Sequence, residues 1–211
     1  MKNQLKLSRS GRRAANLSRR KAFCGVESLQ LVGKATMSPE SYLCATCGQS
    51  HEGLPFSFAA DFPDPYANLP HDQRDSRTVI GTDQCIIDEQ QFFLRGCLEI
   101  PIIGQAEPFL WGIWASVREE IFDEVASTWE LQGREKTHGP FKGRLANSIR
   151  DYPETLNLKL NIVLQPVGTR PVFYIEESEH PLAQEQQHGI SYQQAMERAS
   201  FYLHHQRTLR E

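Results

Sequence analysis

The stretch LNLKLNIVL, Leu156–Leu164, has the clearest strand pattern in the chain. Leucine or isoleucine occupies every second position, and Asn, Lys, Asn and Val stand between them. Because successive side chains of a strand point to opposite faces, this alternation predicts one face in the core and one toward water. A half-exposed strand favours an antiparallel sheet over a parallel sheet buried on both faces. Pro171–Glu176, PVFYIE, is the expected partner across a short connection.

Three more strand-like stretches precede it. Cys85–Asp88 (CIID) and Phe92–Ile102 (FFLRGCLEIPI) are separated by polar residues and predict a hairpin. Phe109–Ala115 (FLWGIWA) predicts the next strand, since aromatic and β-branched residues favour strands. The same run is the longest uninterrupted apolar stretch, and it is far shorter than the ~20 residues that a membrane span needs. The sequence therefore predicts no membrane-spanning segment.

Two helices are signalled by their capping residues. Ser116 and Glu119 form a capping-box pattern before an apolar stripe, and Gly133 is the expected end of that helix. Ser191 and Gln194 form a similar pattern before the C-terminal helix. Strands grouped together, with helices that do not alternate regularly with them, predict an α+β fold. We expect an antiparallel β-sheet with the helices packed on one side.

The charge of the chain changes near Met37. Residues 1–36 contain nine Lys or Arg and one acid, a net charge of +8, whereas the rest contains 14 bases and 25 acids, a net charge of −11. The first segment is rich in Arg and Ser and lacks apolar periodicity, which predicts a basic, disordered extension. Residues 37–211 are expected to form a single domain, because their length suits one hydrophobic core.

Three interpretations of the basic extension stay open. It could bind nucleic acid or an acidic surface through counterion release. It could be a transit peptide, since such peptides are rich in Arg and Ser and poor in acids. It could also be an upstream extension without an evolved role, with Met37 as the working start, and this is the interpretation we favour. A secretory signal is not indicated, because Glu27 interrupts the apolar stretch.

The stretch CATCGQSHEG, residues 44–53, resembles half of a zinc site. Zinc takes thiolate and imidazole ligands in tetrahedral geometry, and a CxxC turn can offer two sulfurs to one ion. A fourth ligand must come from elsewhere, and the start of the CIID strand is our choice, with Cys97 and His180 in reserve. The expected ligand set is Cys44, Cys47, His51 and Cys85.

Two other interpretations of the same stretch stay open. The cysteines could be reduced thiols beside a surface histidine, or a redox pair, although no thioredoxin-like βαβ pattern surrounds them. Five cysteines are an odd number for a chain of this length, which favours reduced thiols or a metal site in the cytoplasm over a secreted disulfide framework. A zinc ion with four protein ligands would be structural, and one with three could activate water.

A second group of candidate residues is acidic. Asp83 and Asp88 bracket CII on one strand, and Glu99 lies on the next. Carboxylates brought together could share a proton or bind a hard cation. The alternative is that they cap turns or pair with arginine, and Arg95 is close in sequence for that.

A third group could bind an anion or another ligand. Arg95 lies in the predicted strand Phe92–Ile102, next to a glycine. Lys142, Arg144 and Asn147 lie in GPFKGRLANS, where glycine allows close backbone approach. Trp111 is a further candidate, since Trp111 and the tryptophan three positions later should face opposite sides of a strand, which could leave one exposed as an anchor. The alternatives are a tight turn with solvated charges and a tryptophan packed in the core.

Six strings, taken in order, carry a family resemblance: CATCGQSHEGLPFSFAADFPDPY, DQCIID, FFLRGCLEIPI, FLWGIWASV, YPETLNLK and RPVFYIEESEHPLAQEQQHGI. Together they resemble a bacterial family labelled domain of unknown function 2199, over about residues 42 to 199. The resemblance implies a bacterial cytoplasmic protein and implies no particular activity. It leaves residues 1–36 outside the family pattern, and it implies that Cys97 is only a small core residue.

Function is therefore predicted only in outline. We expect a zinc-stabilised binding or interaction module, for which an immunity-type inhibitor of another protein is one form. The alternative is a metal-dependent hydrolase that uses an open zinc or the acids Asp83, Asp88 and Glu99. Nucleic acid is not expected as a partner except through the basic extension, because the remaining chain is acidic. Whether the protein is an enzyme is left undecided.

Overall fold

The computed structural model describes residues 42–43, 47–51, 56–177 and 179–205. The basic extension of residues 1–36 and Cys44 lie outside these described residues. The strands are β1 Tyr42–Leu43, β2 Ser50–His51, β3 Ser57–Ala59, β4 Thr78–Ile80, β5 Gln84–Ile87, β6 Gln91–Ile100, β7 Phe109–Val117, β8 Phe141–Leu145, β9 Lys159–Val163 and β10 Val172–Ile175. The helices are α1 Asp64–Ala67, α2 His71–Arg77, α3 Glu119–Ser127, α4 Arg134–Thr137, α5 Pro181–His188 and α6 Tyr192–His205.

Five of the strands close into a barrel in the order β6, β7, β8, β9, β10 and back to β6. The hairpin of β6 and β7 is the longest pairing, and it runs from Phe92 opposite Val117 to Ile100 opposite Phe109. Strands β8, β9 and β10 continue antiparallel from β7. Strand β10 then pairs in parallel with β6 and completes the ring. Strand β3 adds to β7 in parallel, and β5 and β4 extend the sheet from β6.

The predicted fold is therefore partly correct. The α+β class, the hairpin of β5 and β6, and the antiparallel partnership of β9 with β10 are confirmed. The sheet is mixed rather than antiparallel, because β3 and β10 each have a parallel neighbour, and the ring of five strands was not predicted. Alternation shows which residues of a strand face the core, but it does not show which distant strand lies beside it.

The helices contact both faces of the sheet rather than one. Helix α3 packs through Phe122 on Phe92 and Leu94 of β6, and helix α1 packs through Tyr66 beside Trp114. These contacts lie on opposite faces of the β6–β7 hairpin, since the side chains alternate along each strand. Helices α5 and α6 cover a third region, where their apolar residues join the barrel core. The prediction of helices on one side is therefore wrong.

Gly96 allows the ring to close between β6 and β10. A Cβ atom at this position would lie 2.3 Å from Cζ of Phe173 and 2.7 Å from the carbonyl oxygen of Pro171. Real Cβ atoms do not approach other atoms so closely, so a larger residue here would push β10 away from β6. The parallel pairing of Val172 with Cys97 lies directly beside this contact.

The two predicted capping boxes have different outcomes. At α6 the backbone N–H of Gln194 donates to Ser191 Oγ over 3.2 Å, and Ser191 N–H donates to Gln194 Oε1 over 2.8 Å, as predicted. Ser116 does not cap α3, since it lies inside β7, paired with β6 and β8. Helix α3 begins after Arg118 without a side-chain cap and ends at Ser127. The pairing of Ser116 with β6 and β8 therefore outweighs its local tendency to cap a helix.

Candidate functional site

The outer face of the barrel carries polar side chains in two rows that cross the strands. In the first row, Arg144 of β8 lies directly opposite Lys159 of β9 and Ser116 of β7. Glu176, just beyond β10, continues this row, because its N–H donates to the carbonyl of Lys159 over 2.9 Å. Arg144 and Lys159 are both exposed. The alternation of each strand places all four side chains on the side away from the barrel core.

The second row lies one pleat further along. Lys142 of β8 is opposite Asn161 of β9, which in turn is opposite Tyr174 of β10. The Lys142 ammonium donates to Asn161 Oδ1 over 2.7 Å and also to the carboxylate of Glu176. The charge of Lys142 is therefore already compensated within the face.

A groove of about 420 Å³ runs over the basic end of these rows. We call it the basic groove, and its lining residues are Ser116, Val117, Arg118, Lys142, Gly143, Arg144, Lys159, Leu160 and Glu176. Four of these side chains are cationic and one is acidic. Gly143 packs tightly against its neighbours, since a Cβ atom there would lie 2.7 Å from Ile162 Cδ1 of the core and 3.0 Å from the carbonyl oxygen of Ser116.

The cations Arg144 and Lys159 are a like-charged pair without a carboxylate partner within the described residues. Arg144 Nη1 donates to the carbonyl oxygen of Asn157 over 3.1 Å, which is a neutral partner. The carboxylate of Glu177 accepts from the backbone N–H of Lys159 over 2.8 Å rather than from its ammonium group. Like charges directly opposite each other in an antiparallel pair are destabilising. An anion bound between them would relieve that repulsion.

The other end of the second row is aromatic and acidic. The Tyr174 side chain is 46% exposed although it is large and mostly apolar. Glu99 of β6 lies beside Tyr174. Burial raises the pKa of the Glu99 carboxyl group. The pKa of Tyr174 is raised first by burial and then by the nearby negative charge of Glu99. The face therefore changes from acidic and aromatic at β6 and β10 to cationic at β8.

The predicted anion-binding residues are divided by the structure. Lys142 and Arg144 line the basic groove, whereas Arg95 and Asn147 do not line it and make their contacts around Trp114 and helix α1. Asn147 is 3% exposed, and its side chain accepts from Trp114 N–H over 2.8 Å and donates to Asp64 Oδ1 over 2.9 Å. These bonds occupy the amide group of Asn147 within the fold and leave it no opening to a ligand in the groove.

Arg95 is likewise engaged inside the protein. Its Nη2 donates to the carbonyl oxygen of Ala60 over 2.9 Å, and its guanidinium lies 5.7 Å from the ring centroid of Trp114. Burial lowers the pKa of Arg95, and the positive charge of Arg170 lowers it further. Arg95 therefore holds β3 and the residues after it against the hairpin rather than facing the groove.

Trp111 is not an exposed anchor. It is 4% exposed and packs on Phe58, Phe109 and Tyr202, with ring centroids 6.1, 5.2 and 4.8 Å away. The two tryptophans do face opposite sides of β7, but the barrel core covers one side and helix α1 covers the other. Both are therefore buried, and Trp111 belongs to the core.

The predicted acidic group is spread over the sheet. The backbone N–H of Arg95 donates to the backbone carbonyl of Asp83. The buried carboxylate of Asp83 is paired with Arg170 over 2.6 Å. Asp88 follows the other end of β5, where it is paired with Arg77 over 2.6 Å. The end of β5, next to Asp88, lies opposite Gln91 of β6. Glu99 is eight residues further along β6, which is ~26 Å away. The three acids therefore have no common site.

The zinc prediction falls largely outside the described side chains. Cys44 and the side chain of His51 are not described, and Cys47 is exposed. Cys85 is fully buried, and desolvation raises the pKa of its thiol to about 12. Among the described residues, no three His, Cys, Asp or Glu side chains form a group suited to a metal ion. The four-ligand zinc site stays a prediction.

The reserve zinc ligands have other roles. Cys97 is fully buried and disulfide-bonded, contrary to the expectation of reduced thiols. His180 Nδ1 accepts from the N–H of Leu182 over 3.1 Å and so caps α5. The His180 ring therefore supplies a helix cap.

Sequence reasoning missed a charged network that joins α5 to α6. Arg198 of α6 donates to both carboxylate oxygens of Glu185 of α5, over 2.8 and 3.2 Å, and lies 3.3 Å from Asp151. The hydroxyl of Tyr152 also donates to Glu185. Burial is the main cause that raises the pKa of Asp151 and of Tyr152. These groups satisfy one another, which makes the network a helix-docking contact.

The fold and the groove together define a small α+β protein built on a five-stranded barrel, with a cationic groove on the barrel's outer face. The chain belongs to the family described as uncharacterized protein conserved in bacteria, domain of unknown function 2199, whose family model matches residues 43–190. This confirms the resemblance found in the sequence. Searches of curated proteins and of solved structures find no match. Within the described residues, no helix has the length and apolar character required to cross a membrane.

Proposed function

We propose that this bacterial protein is a binding module that holds an anionic group of its partner in the basic groove. The observation that carries the proposal is the directly opposed pair of Arg144 and Lys159, both exposed and without a carboxylate partner among the described residues. The repulsion between the two cations lowers the stability of the fold. An anion bound between them would remove the repulsion and form charge-assisted hydrogen bonds with both. Arg118 at the rim adds a third cation.

The described groove suits binding better than catalysis. Its hydroxyl group, Ser116 Oγ, is turned to the carbonyl oxygen of Arg144 at 3.4 Å rather than to a base. Its carboxylate, Glu176, is occupied by Lys142. A nucleophile requires a base within hydrogen-bond reach, and neither group has such a partner in this part of the chain. The acids suggested for a hydrolase are also far apart, which leaves that alternative dependent on an open zinc.

Zinc remains part of the proposal as a structural ion held by Cys44, Cys47, His51 and Cys85. The support is the CxxC spacing, the nearby histidine and the position of Cys85 at the start of an inner strand. Metal analysis of the full chain purified under reducing conditions tests it, with the Cys44→Ser and Cys85→Ser variants beside it. Near-stoichiometric zinc that both substitutions remove would support it, whereas a wild-type protein without zinc would contradict it.

An acidic surface or a phosphate group of another molecule is the kind of partner that the groove suits. An immunity-type inhibitor is one protein of this kind, and in that case its target would present carboxylates to Arg144 and Lys159. The charge of the remaining chain, −11 for residues 37–211, makes a basic groove distinctive on this molecule. Such a groove attracts an anion locally while the acidic surroundings repel unrelated polyanions.

The test is a calorimetric titration of the full chain with inorganic tripolyphosphate at low salt. The double variant Arg144→Gln/Lys159→Gln should weaken binding at least tenfold. The matched control is Lys136→Gln/Arg150→Gln, which removes the same charge from exposed positions outside the groove and should change binding less than twofold. Because both variants retain the basic extension, any binding by residues 1–36 is common to them. Equal losses in the two variants would contradict the proposal.

A further inference from the structure

The outer face offers more than the cations of the groove. Across neighbouring strands it places Glu99 and Tyr174 at one end, Asn161 in the middle and Lys142 at the other end. An exposed aromatic ring, an acceptor carboxylate and an amide are the groups that recognise a planar, hydrogen-bonding ring. The cationic end recognises a phosphate group. One ligand that carries both parts could lie along this face.

The dimensions agree with such a ligand. From Tyr174 on β10, the Arg144–Lys159 pair on β8 and β9 lies about one and a half strand spacings across and two residues along, which gives roughly 10 Å. The groove of about 420 Å³ forms the phosphate end of this site, and Tyr174, Asn161 and Glu99 lie beyond its lining. A mononucleotide has about this length when its phosphate and base point in opposite directions.

We propose that the outer face binds a free nucleotide, with the phosphate between Arg144 and Lys159 and the base on the ring of Tyr174. Asn161 and Glu99 then meet the edge of the base, where a carboxylate accepts from an exocyclic amino group. Stacking on an exposed aromatic ring is worth ~1–3 kcal/mol per base. The phosphate half of this inference rests on the proposed function, whereas the base half rests on Tyr174 and Glu99.

A free nucleotide fits better than a nucleic acid strand. A strand would extend its phosphates beyond the groove onto a body whose net charge is −11 over residues 37–211. Those phosphates would be repelled rather than neutralised, because affinity for a strand grows with the number of cations that meet its phosphates. The described groove offers Arg118, Arg144 and Lys159 beside the already compensated Lys142, which suits one phosphate group.

The experiment compares three probes on the full chain by calorimetry: adenosine monophosphate, ribose 5-phosphate and a single-stranded oligonucleotide of about 12 residues. Adenosine monophosphate should bind at least tenfold more tightly than ribose 5-phosphate, since the two carry the same phosphate and differ in the base. Tyr174→Ala should remove that preference and leave ribose 5-phosphate binding unchanged. Leu131→Ala is the control, because Leu131 is equally exposed, at 47%, and lies outside the face.

The possible failures are distinguishable. Equal binding of adenosine monophosphate and ribose 5-phosphate, both lost in Arg144→Gln/Lys159→Gln, would overturn the nucleotide inference and support the proposed function. Binding of neither phosphate would overturn both. An oligonucleotide that binds more than tenfold more tightly than the mononucleotide, with the difference lost in the groove variant, would replace the free nucleotide by a nucleic acid strand and so overturn the inference.

Discussion

Arg170 Nε lies 2.6 Å from Asp83 Oδ1, although the two residues are 87 positions apart. The Asp83 side chain is fully buried, and that of Arg170 is 14% exposed. Asp83 also accepts from the hydroxyl of Thr82 over 2.9 Å. This pair joins the residues before β5 to those before β10, and so connects two segments that are far apart in the sequence.

We expect Arg170→Met to destabilise the fold by ~3–5 kcal/mol, because it removes the cation that bonds directly to the buried Asp83 carboxylate. Urea unfolding of the wild type and the variant measures the loss. The control is Arg77→Met, which breaks the pair with Asp88, whose side chains are 38% and 33% exposed. Water screens that pair, so its loss should be much smaller. Equal losses at the two sites would contradict the role given to Asp83.

Gly96→Ala should prevent the barrel from closing normally. The new Cβ atom would meet the Phe173 ring at 2.3 Å and a backbone oxygen at 2.7 Å, so β10 must move away from β6. The comparison is Gly112→Ala on β7, where the nearest atom would be Ala59 Cβ at 3.0 Å. We expect a large loss of thermal stability at Gly96 and a small one at Gly112. A Gly96→Ala protein as stable as the Gly112→Ala protein would show that Gly96 is not required for closure.

Cys85 should give stability a pH dependence that is present only in the absence of zinc. Burial raises the pKa of the metal-free thiol from an ordinary 9.0 to about 12. The folded state therefore binds this proton more tightly than the unfolded state does. Its contribution to stability is complete below pH 9 and is lost as the pH rises toward 12. A zinc-bound Cys85 would instead be a thiolate at neutral pH and would show no such loss in this range.

The measurement is the free energy of unfolding between pH 8 and pH 11 for the wild type and Cys85→Ala, each with a chelator and with added zinc. With the chelator, the wild type should lose stability more steeply than the variant. Tyr202, whose pKa burial also raises to about 12, is present in both proteins, so the difference isolates Cys85. Parallel curves in the chelator would contradict the buried neutral thiol.

Local signals predicted the local parts of the fold. The alternation of Leu156–Leu164 predicted β9, which runs over Lys159–Val163, and its pairing with Val172–Ile175 followed from the short connection. The capping box of Ser191 and Gln194 needs only neighbouring residues, and it is present. Ser116 carried an equally good local pattern and was wrong, because pairing of β7 with β6 and β8 outweighs one cap.

The site was predicted less completely than the strands. Lys142 and Arg144 were recognised as candidate anion ligands, and the alternation already placed Lys159 on the exposed face. What the sequence could not show is that Arg144 and Lys159 lie directly opposite, because this depends on the register of β8 with β9 across a long connection. Arg95 and Asn147 were grouped with them as polar residues near glycine, and the fold instead engages both around Trp114, outside the groove lining.

If the Arg144–Lys159 pair is retained for a ligand, its two charges lower the stability of the fold while no anion is bound. The most direct measurement is the free energy of unfolding of Lys159→Gln in buffer free of phosphate and other multivalent anions. We predict a variant more stable than the wild type by about 0.2–1 kcal/mol, because the opposed like charges are removed, together with at least fivefold weaker tripolyphosphate binding. A variant that is less stable and binds tripolyphosphate as the wild type does would contradict the account.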